Sequence, residues 1–399
     1  MQDTFIIDGI RTAIGFFRGT LSAVRTDDLA AHVIRALLDR HPQLDPALID
    51  DVIMGCANQA GEDNRNVARM ALLLAGMPYS VPGETVNRLC ASGMSAVIHA
   101  HRAIQSADGD LFISGGVENM TRGPWVISKS NQPFGSDAAL YDSSFGWRFI
   151  NPKMKELYGT EAMGETAENL AERYKISRED QDKFAHWSQQ KSAAGGSHLA
   201  EEITPVHIPG KKHDHVVFQK DEFAKPQTTL EGLANLKPAF RSGGTVTAGN
   251  SSGLNDGAAA LLLSSDLGVR QNNLNPVARI LSSAVVGVEP SIMGIGPVQA
   301  SLNALKKAGL SLDDMDVIEI NEAFAAQVLA CTRKLGLSDE DERINMNGGA
   351  IALGHPLGMS GARIIWTAVK SLQRLNKRYA LATMCIGVGQ GYAVVIEKV

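Results

Sequence analysis

Cys90-Ala91-Ser92-Gly93-Met94-Ser95 returns later in the chain as His355-Pro356-Leu357-Gly358-Met359-Ser360, at an offset of 265 residues. Asp51-Val52-Ile53 returns as Asp316-Val317-Ile318 at the same offset. Two matches at one offset mark a duplication, and an internal repeat governs every later reading of the fold. Ile113-Ser114-Gly115-Gly116-Val117 is similar to Met384-Cys385-Ile386-Gly387-Val388 at an offset of 271, so the second copy carries about six extra residues there. Phe5-Ile6-Ile7-Asp8 and Ala278-Arg279-Ile280-Leu281 are short apolar openings for the two halves.

Each half reads as strand, helix, strand, helix, strand. In the second half, Val298–Ala308 and Gly361–Leu375 read as helices. Asp316–Ile320, the buried run Tyr379–Ile386 and Gly391–Val399 read as strands. The closing strand of the first half is delayed until Gly257–Ser264. Strands alternating with helices predict an α/β protein with a mainly parallel, helix-covered sheet. The organisation is a first half over 1–120 and 246–271, an insertion over 121–245, and a second half over 272–399. The insertion holds Trp125, Trp147, Trp187 and five histidines, and Ser177-Arg178-Glu179-Asp180 opens a helix within it. It reads as a loop-and-helix subdomain over one end of the sheet, where open α/β folds carry ligands.

Composition narrows the function classes. The chain has 399 residues and a net charge of −5, which argues against a nucleic-acid or anionic-membrane partner. No apolar run reaches the length of a membrane span. The N-terminal residues lack a secretory pattern and the C-terminal residues lack a sorting signal, so a cytoplasmic location is expected. Cys56, Cys90, Cys331 and Cys385 are too few and too scattered for a disulfide framework, and no Cys-x-x-Cys pair suggests zinc. There is no P-loop, no dinucleotide fingerprint and no G-x-S-x-G elbow. His213, Asp214 and His215 read as a polar loop rather than a metal site.

Four residues carry the chemical options. Cys90 follows a strand-like run and precedes small residues that start a helix, where backbone N–H groups and the helix dipole favour a thiolate. It also reads as a buried small hydrophobe. His355, in a glycine-rich turn, reads as a base or as a structural histidine. Cys385 ends a buried strand before a glycine turn whose N–H groups suit an oxyanion, or is a core cysteine. Asn321 orients a water or a ring, or caps a helix. The repeat puts His355 at the position of Cys90 in the other half, so a pseudo-two-fold brings both to one site. Cys56 and Cys331 read as packing residues.

The segments Asn87-Arg88-Leu89-Cys90-Ala91-Ser92-Gly93, Asn321-Glu322-Ala323-Phe324, Asn347-Gly348-Gly349-Ala350-Ile351-Ala352-Leu353-Gly354-His355-Pro356 and Cys385-Ile386-Gly387-Val388-Gly389-Gln390-Gly391 resemble the thiolase family, in the family's order. The resemblance spans nearly the whole chain. It implies a thiolase fold, with two similar βαβαβ halves in a five-layered α-β-α-β-α core and an inserted loop subdomain. It implies Cys90 as the acyl-accepting nucleophile, His355 as its activator, and Cys385 as the group moving the α-carbon proton. It assigns Asn321 a water in one oxyanion hole, and the backbone N–H groups of Cys90 and Gly387 to the other. Coenzyme A is then a substrate, with no bound cofactor and no metal. Ala248, Ser252, Ala323 and Phe324 match coenzyme A contacts, Met163 and Met293 match the acyl pocket, and Lys225 stands where relatives often have Arg. A homodimer or homotetramer is implied.

Gly55-Cys56-Ala57-Asn58-Gln59-Ala60-Gly61-Glu62-Asp63-Asn64-Arg65-Asn66-Val67-Ala68-Arg69 and Gly146-Trp147-Arg148-Phe149-Ile150-Asn151-Pro152 are similar to the 3-oxoadipyl-CoA thiolases of aromatic-compound breakdown. Gly164 departs from that group, which usually has Pro after the pocket methionine. Such a substrate ends in a second carboxylate, and Arg148 is the cation expected to meet it. The alternatives are a fatty-acid or acetoacetyl-CoA thiolase, a non-catalytic acyl-CoA-binding or lipid-binding relative, and a Cys-His hydrolase.

Overall fold

The computed structural model describes residues 2–210 and 215–399; His213 and Asp214, and the side chain of His215, lie outside the described residues. The first half runs β1 (Thr4–Arg11), β2 (Gly15–Phe16), α1 (Thr26–Asp39), β3 (Asp51–Gly55), α2 (Val67–Leu74), β4 (Gly83–Val86), α3 (Ser92–Gln105) and β5 (Leu111–Asn119). The insertion follows as β6 (Trp125–Ile127), β7 (Leu140–Asp142), α4 (Pro152–Tyr158), α5 (Met163–Arg173), α6 (Arg178–Ala194), α7 (Gly196–Ala200), β8 (Val206–Pro209), β9 (His215–Phe218) and α8 (Leu230–Ala234). Then β10 (Asn255–Ser265) closes the first half and α9 (Asp266–Gln271) leads out of it. The second half runs β11 (Ala278–Gly287), α10 (Gly296–Ala308), β12 (Val317–Ile320), α11 (Ala325–Leu335), α12 (Ala350–Leu353), α13 (Leu357–Leu375), β13 (Tyr379–Ile386) and β14 (Gln390–Lys398).

One hydrogen-bonded sheet crosses both halves in the order β12-β13-β14-β11-β1-β10-β5-β3-β4, with β2 beside β10. The halves join where Thr4–Ile6 pairs with Ala278–Ile280. The expectation of a mainly parallel sheet is corrected. Among the described strands of this sheet, only the pairs β3–β4, β3–β5 and β12–β13 are parallel. The closing strands account for the difference. A tight turn joins β13 to β14, and a hairpin is antiparallel by construction. The delayed β10 slots between β1 and β5, antiparallel to both.

Burial explains the layering. Every residue of β5 and β10 is buried, as their apolar and small side chains require of strands covered on both faces. One core lies between the first-half strands and α1 and α2. A central core surrounds α3 and α13, which pack on each other and on strands of both halves. A third lies between the second-half strands and α10 and α11. The sequence of layers is α-β-α-β-α. Among the described residues, no helix is long and apolar enough to cross a membrane.

The central layer closes on backbone rather than on side chains. A Cβ at Gly116 of β5 would lie 1.9 Å from the Gly358 carbonyl oxygen, and one at Gly93 of α3 only 2.4 Å from the same atom. Three main chains therefore meet at the start of α13, and only glycine permits that approach. Glu118, two residues along β5, locks the junction. Its buried carboxylate accepts from Gly358 N at 2.9 Å, Ala57 N at 2.9 Å and Asn58 N at 3.0 Å. Burial raises its pKa from 4.5 to about 7; the three N–H groups oppose that shift and Asp63 adds to it.

Replacing Gly116 by Ala is expected to lower stability by about 3 kcal/mol, because the new methyl meets a carbonyl that cannot move aside; urea unfolding measures it. A pH series tests Glu118. Between pH 4.5 and about 7 the folded chain binds more protons at this carboxyl than the unfolded chain, so its contribution to stability falls as pH rises. Glu118→Gln has no such titration. The stability difference, wild type minus variant, is expected to shrink across that window by on the order of 3 kcal/mol. A pH-independent difference would contradict the assignment.

Candidate active site

Cys90 sits in a single 3₁₀ turn, Leu89–Ala91, between β4 and α3. The turn is pinned at both ends. Asn87 Oδ1 accepts from Leu89 N at 2.9 Å, and Ser92 Oγ donates to Leu89 O at 2.7 Å. Leu89 adopts a φ of +48° and Val388, in the β13–β14 turn, a φ of +62°. Left-handed backbone at a branched residue such as Val388 is strained and is held by its surroundings. These two positions flank Cys90 and Gly387, and the N–H groups of Cys90 and Gly387 both face the Cys90 sulfur.

The expectation that the helix start makes Cys90 a ready thiolate is corrected. Burial pushes its thiol up, Glu118 adds to the shift, and the two N–H groups oppose it. Cys385, at the end of β13, is buried and raised further still, first by burial and then by its neighbours Cys90 and Cys331. Proximity of a second sulfur thus accompanies each of the two predicted thiols.

His355 follows the short α12 and directly precedes α13. Its N–H donates to Asn255 Oδ1 at 2.9 Å, its Nδ1 lies 2.6 Å from Ser360 Oγ, and its Nε2 lies 3.4 Å from Asn321 Nδ2. Burial lowers its pKa to about 3, with the Arg363 charge a second cause. The resting pair is therefore a neutral thiol and a neutral imidazole. Asn321 leaves β12 and is not a helix cap, since α11 begins at Ala325 with Phe324 at its cap position. Its Oδ1 is buried without a protein partner among the described residues.

Met163, Met293, Ala323, Phe324 and Cys385 meet in one apolar cluster with Ala167 and Val246. The loop carrying Ala248 and Ser252 lies alongside: Ser252 N donates to Ala323 O at 3.0 Å, and Ala325 N to Asn250 O at 2.9 Å. Exposed Lys225 holds its Nζ 5.2 Å from the Phe223 ring, and that ring packs on Gly253, beside Ser252. Arg148 is half-buried and donates to the Ser143 carbonyl at 3.2 Å rather than to any residue of the cluster. Its loop is tied to the segment before Met163 by Trp147, whose Nε1 donates to Glu161 O at 3.2 Å. Cys56 and Cys331 are fully buried, Cys331 donating to Gly294 O at 3.1 Å.

Three contributors escaped the sequence reading. Phe240 stands edge-on to Phe324 at 6.2 Å and lies where a Cβ on Gly164 would be, 2.1 Å from its ring. The bare Gly164 is thus what lets this ring close the pocket wall. Glu322 accepts from Ser188 Oγ at 2.7 Å, Asn345 Nδ2 at 2.7 Å and Ile351 N at 3.1 Å, joining the insertion to the segment that ends in His355. Glu118 is the third. The available signal was an acid inside or beside a buried strand, at Val117-Glu118-Asn119 and Asn321-Glu322, since such acids need dedicated donors.

Comparison with known proteins agrees with this geometry. Residues 4–266 match the model of the thiolase N-terminal domain, and residues 274–398 that of the thiolase C-terminal domain. The chain is 58% identical to the 3-oxoadipyl-CoA/3-oxo-5,6-dehydrosuberyl-CoA thiolase of Escherichia coli, covering 100% of both chains. It is 56% identical to the beta-ketoadipyl-CoA thiolase of Pseudomonas aeruginosa, again over 100% of each. Among solved structures, the acetyl-CoA acetyltransferase of Bacillus anthracis superposes with a TM-score of 0.92 at 39% identity, covering 100% of this chain and 99% of that one. Human mitochondrial 3-ketoacyl-CoA thiolase gives 0.91 at 41% identity, with the same coverage. The duplicated halves, the fold and the full-length matches together make this chain a member of the thiolase family.

Proposed function

We propose that the protein cleaves 3-oxoadipyl-CoA with coenzyme A, giving succinyl-CoA and acetyl-CoA. The observation that carries this reading is full-length identity of 56–58% to relatives named for 3-oxoadipyl-CoA or beta-ketoadipyl-CoA; Cys90 neighbours Cys385, and Asn321 neighbours His355.

The residues act in two half-reactions. Cys90 sulfur attacks the 3-oxo carbon as His355 takes the thiol proton. The resulting oxyanion is held by the N–H groups of Cys90 and Gly387. It collapses to a thioester on Cys90, and the carbon–carbon bond breaks with its electrons moving to the acetyl-CoA unit as an enolate. His355, with a water held by Asn321, stabilises the enolate oxygen. The Cys385 thiol protonates the enolate carbon, and acetyl-CoA leaves. Coenzyme A then gives its thiol proton to the Cys385 thiolate and attacks the acyl group. Cys90 leaves as a thiolate and recovers its proton from His355. Because the resting thiol and imidazole are both held neutral by burial, the first proton transfer accompanies attack rather than preceding it.

Met163, Met293, Ala323, Phe324 and Phe240 line the acyl and pantetheine path. Ala248, Ser252 and Lys225 serve the coenzyme A side, and Arg148 meets the distal carboxylate. Coenzyme A is a substrate, and no cofactor or metal takes part. The reaction suits the cytoplasm, whose reducing conditions keep both thiols free. The chain assembles as a homodimer or homotetramer; among the described residues β4 is an edge strand beside β3, and Trp125, Ile127 and Leu140 expose apolar surface in the insertion.

Incubating the protein with 3-oxoadipyl-CoA alone is expected to add one succinyl group to Cys90, read by peptide mass spectrometry, and none to Cys90→Ala. Absence of the adduct together with absence of acetyl-CoA release would leave only a binding role. Free succinate in place of succinyl-CoA, when coenzyme A is present, would indicate a hydrolase. For specificity, Arg148→Ala is expected to lower kcat/KM for 3-oxoadipyl-CoA roughly tenfold or more, leaving acetoacetyl-CoA unaffected. Equal losses for both substrates would remove Arg148 from carboxylate recognition.

A further inference from the structure

His355 needs one bare ring nitrogen to accept the Cys90 proton, and a neutral imidazole carries its single N–H on either Nδ1 or Nε2. We propose that Ser360 is a positioning residue that fixes this choice, accepting a hydrogen bond from Nδ1–H of His355 and leaving Nε2 as the bare base. This inference rests on the acyl-transfer reading of the site.

The argument is one of donors and acceptors. Ser360 Oγ lies 2.8 Å from the Pro356 carbonyl oxygen and 2.6 Å from His355 Nδ1. A carbonyl oxygen only accepts, so the single hydroxyl hydrogen goes to Pro356. The Ser360 oxygen is then left as an acceptor, and the hydrogen in the shorter contact belongs to the ring. At the other side of the ring, Asn321 Nδ2 lies 3.4 Å from Nε2. An amide nitrogen only donates, which matches a lone pair on Nε2. Both ends of the imidazole thus select the same tautomer.

The surroundings hold this arrangement. Ser360 is 1% exposed and His355 5%. Ser360 stands in the first turn of α13, and its bond to Pro356 is a serine back-bond to the carbonyl four residues earlier. That bond fixes the hydroxyl beside the ring. The main chain of His355 is fixed separately, through its N–H to Asn255. The duplication adds a comparison inside the chain. Ser95 is the counterpart of Ser360, and its Oγ accepts from Arg88 Nε at 2.9 Å, two residues before Cys90. One duplicated serine steadies the approach to the nucleophile, and the other sets the base.

Nitrogen-15 NMR of the full chain, labelled at histidine and assigned with His355→Asn, reads the tautomer directly. The expected wild-type spectrum shows a protonated Nδ1 and a bare Nε2 for His355. Ser360→Ala is expected to mix the two tautomers and lower kcat for 3-oxoadipyl-CoA cleavage roughly tenfold or more, with KM little changed. Ser360→Thr, which keeps the hydroxyl, is expected to retain the Nδ1–H form and most of the rate. A wild-type proton on Nε2 overturns the proposal, and so does an Ala variant with unchanged tautomer and rate. Wild-type protein that cleaves no 3-oxoacyl-CoA would defeat the acyl-transfer reading instead, and the tautomer measurement would still decide this one.

Discussion

The Gly358 carbonyl oxygen, approached by the backbones of Gly93 and Gly116, is the contact on which the rest of the molecule depends. A side chain at Gly116 would have to push β5 and α13 apart by more than about an ångström, and one at Gly93 would have to push α3 and α13 apart by more than about half an ångström. Cys90 and His355 stand just before α3 and α13 at equivalent positions of the repeat, so the spacing of those helices bears on the spacing of the proposed nucleophile and base. Glu118 makes the junction directional. Three N–H groups from two segments converge on its carboxylate, which ties the loop after β3 to the first turn of α13.

Around that junction, burial sets the electrostatics. The Cys90 and Cys385 thiols are held up and the His355 imidazole is held down, so none of the three is charged at rest. In the proposed reaction the first negative charge develops on a substrate oxygen, opposite donors already in place. The strained φ values at Leu89 and Val388 fit this picture, because they aim main-chain N–H groups that a relaxed turn would point elsewhere. The insertion contributes the apolar wall. Through Glu322 it also reaches the segment leading to His355, so the insertion and that segment share one hydrogen-bonded frame.

Much of this is legible in the residues. The offset of the repeat alone places His355 opposite Cys90, and the strand Tyr379–Ile386 matches its sequence boundaries. Strand direction is not legible. Alternating strands and helices suggest a parallel sheet, yet the delayed β10 and the hairpin strand β14 make most pairings antiparallel. A local pattern states that a strand exists and which faces it buries; it does not state which neighbour the strand finds after an insertion of more than a hundred residues. The ionisation of Cys90 is misjudged from sequence for a related reason. A helix start is visible in sequence, whereas the burial and the Glu118 charge that raise the thiol, and the Gly387 N–H that opposes them, are set by residues remote in the chain.

By itself, then, the sequence determined the duplication, the candidate reactive groups and the apolar faces that stack into five layers. Each of these follows from residue type and spacing along one strand or helix. Only the tertiary structure decided the order of strands, the neutral charge state of the thiols and imidazole, the closure of Phe240 over Gly164, and the carboxylate clamps at Glu118 and Glu322. The physical reason is common to all four. They depend on distances between atoms remote in the chain, and dielectric, packing and hydrogen-bond geometry act through those distances and not through position in sequence.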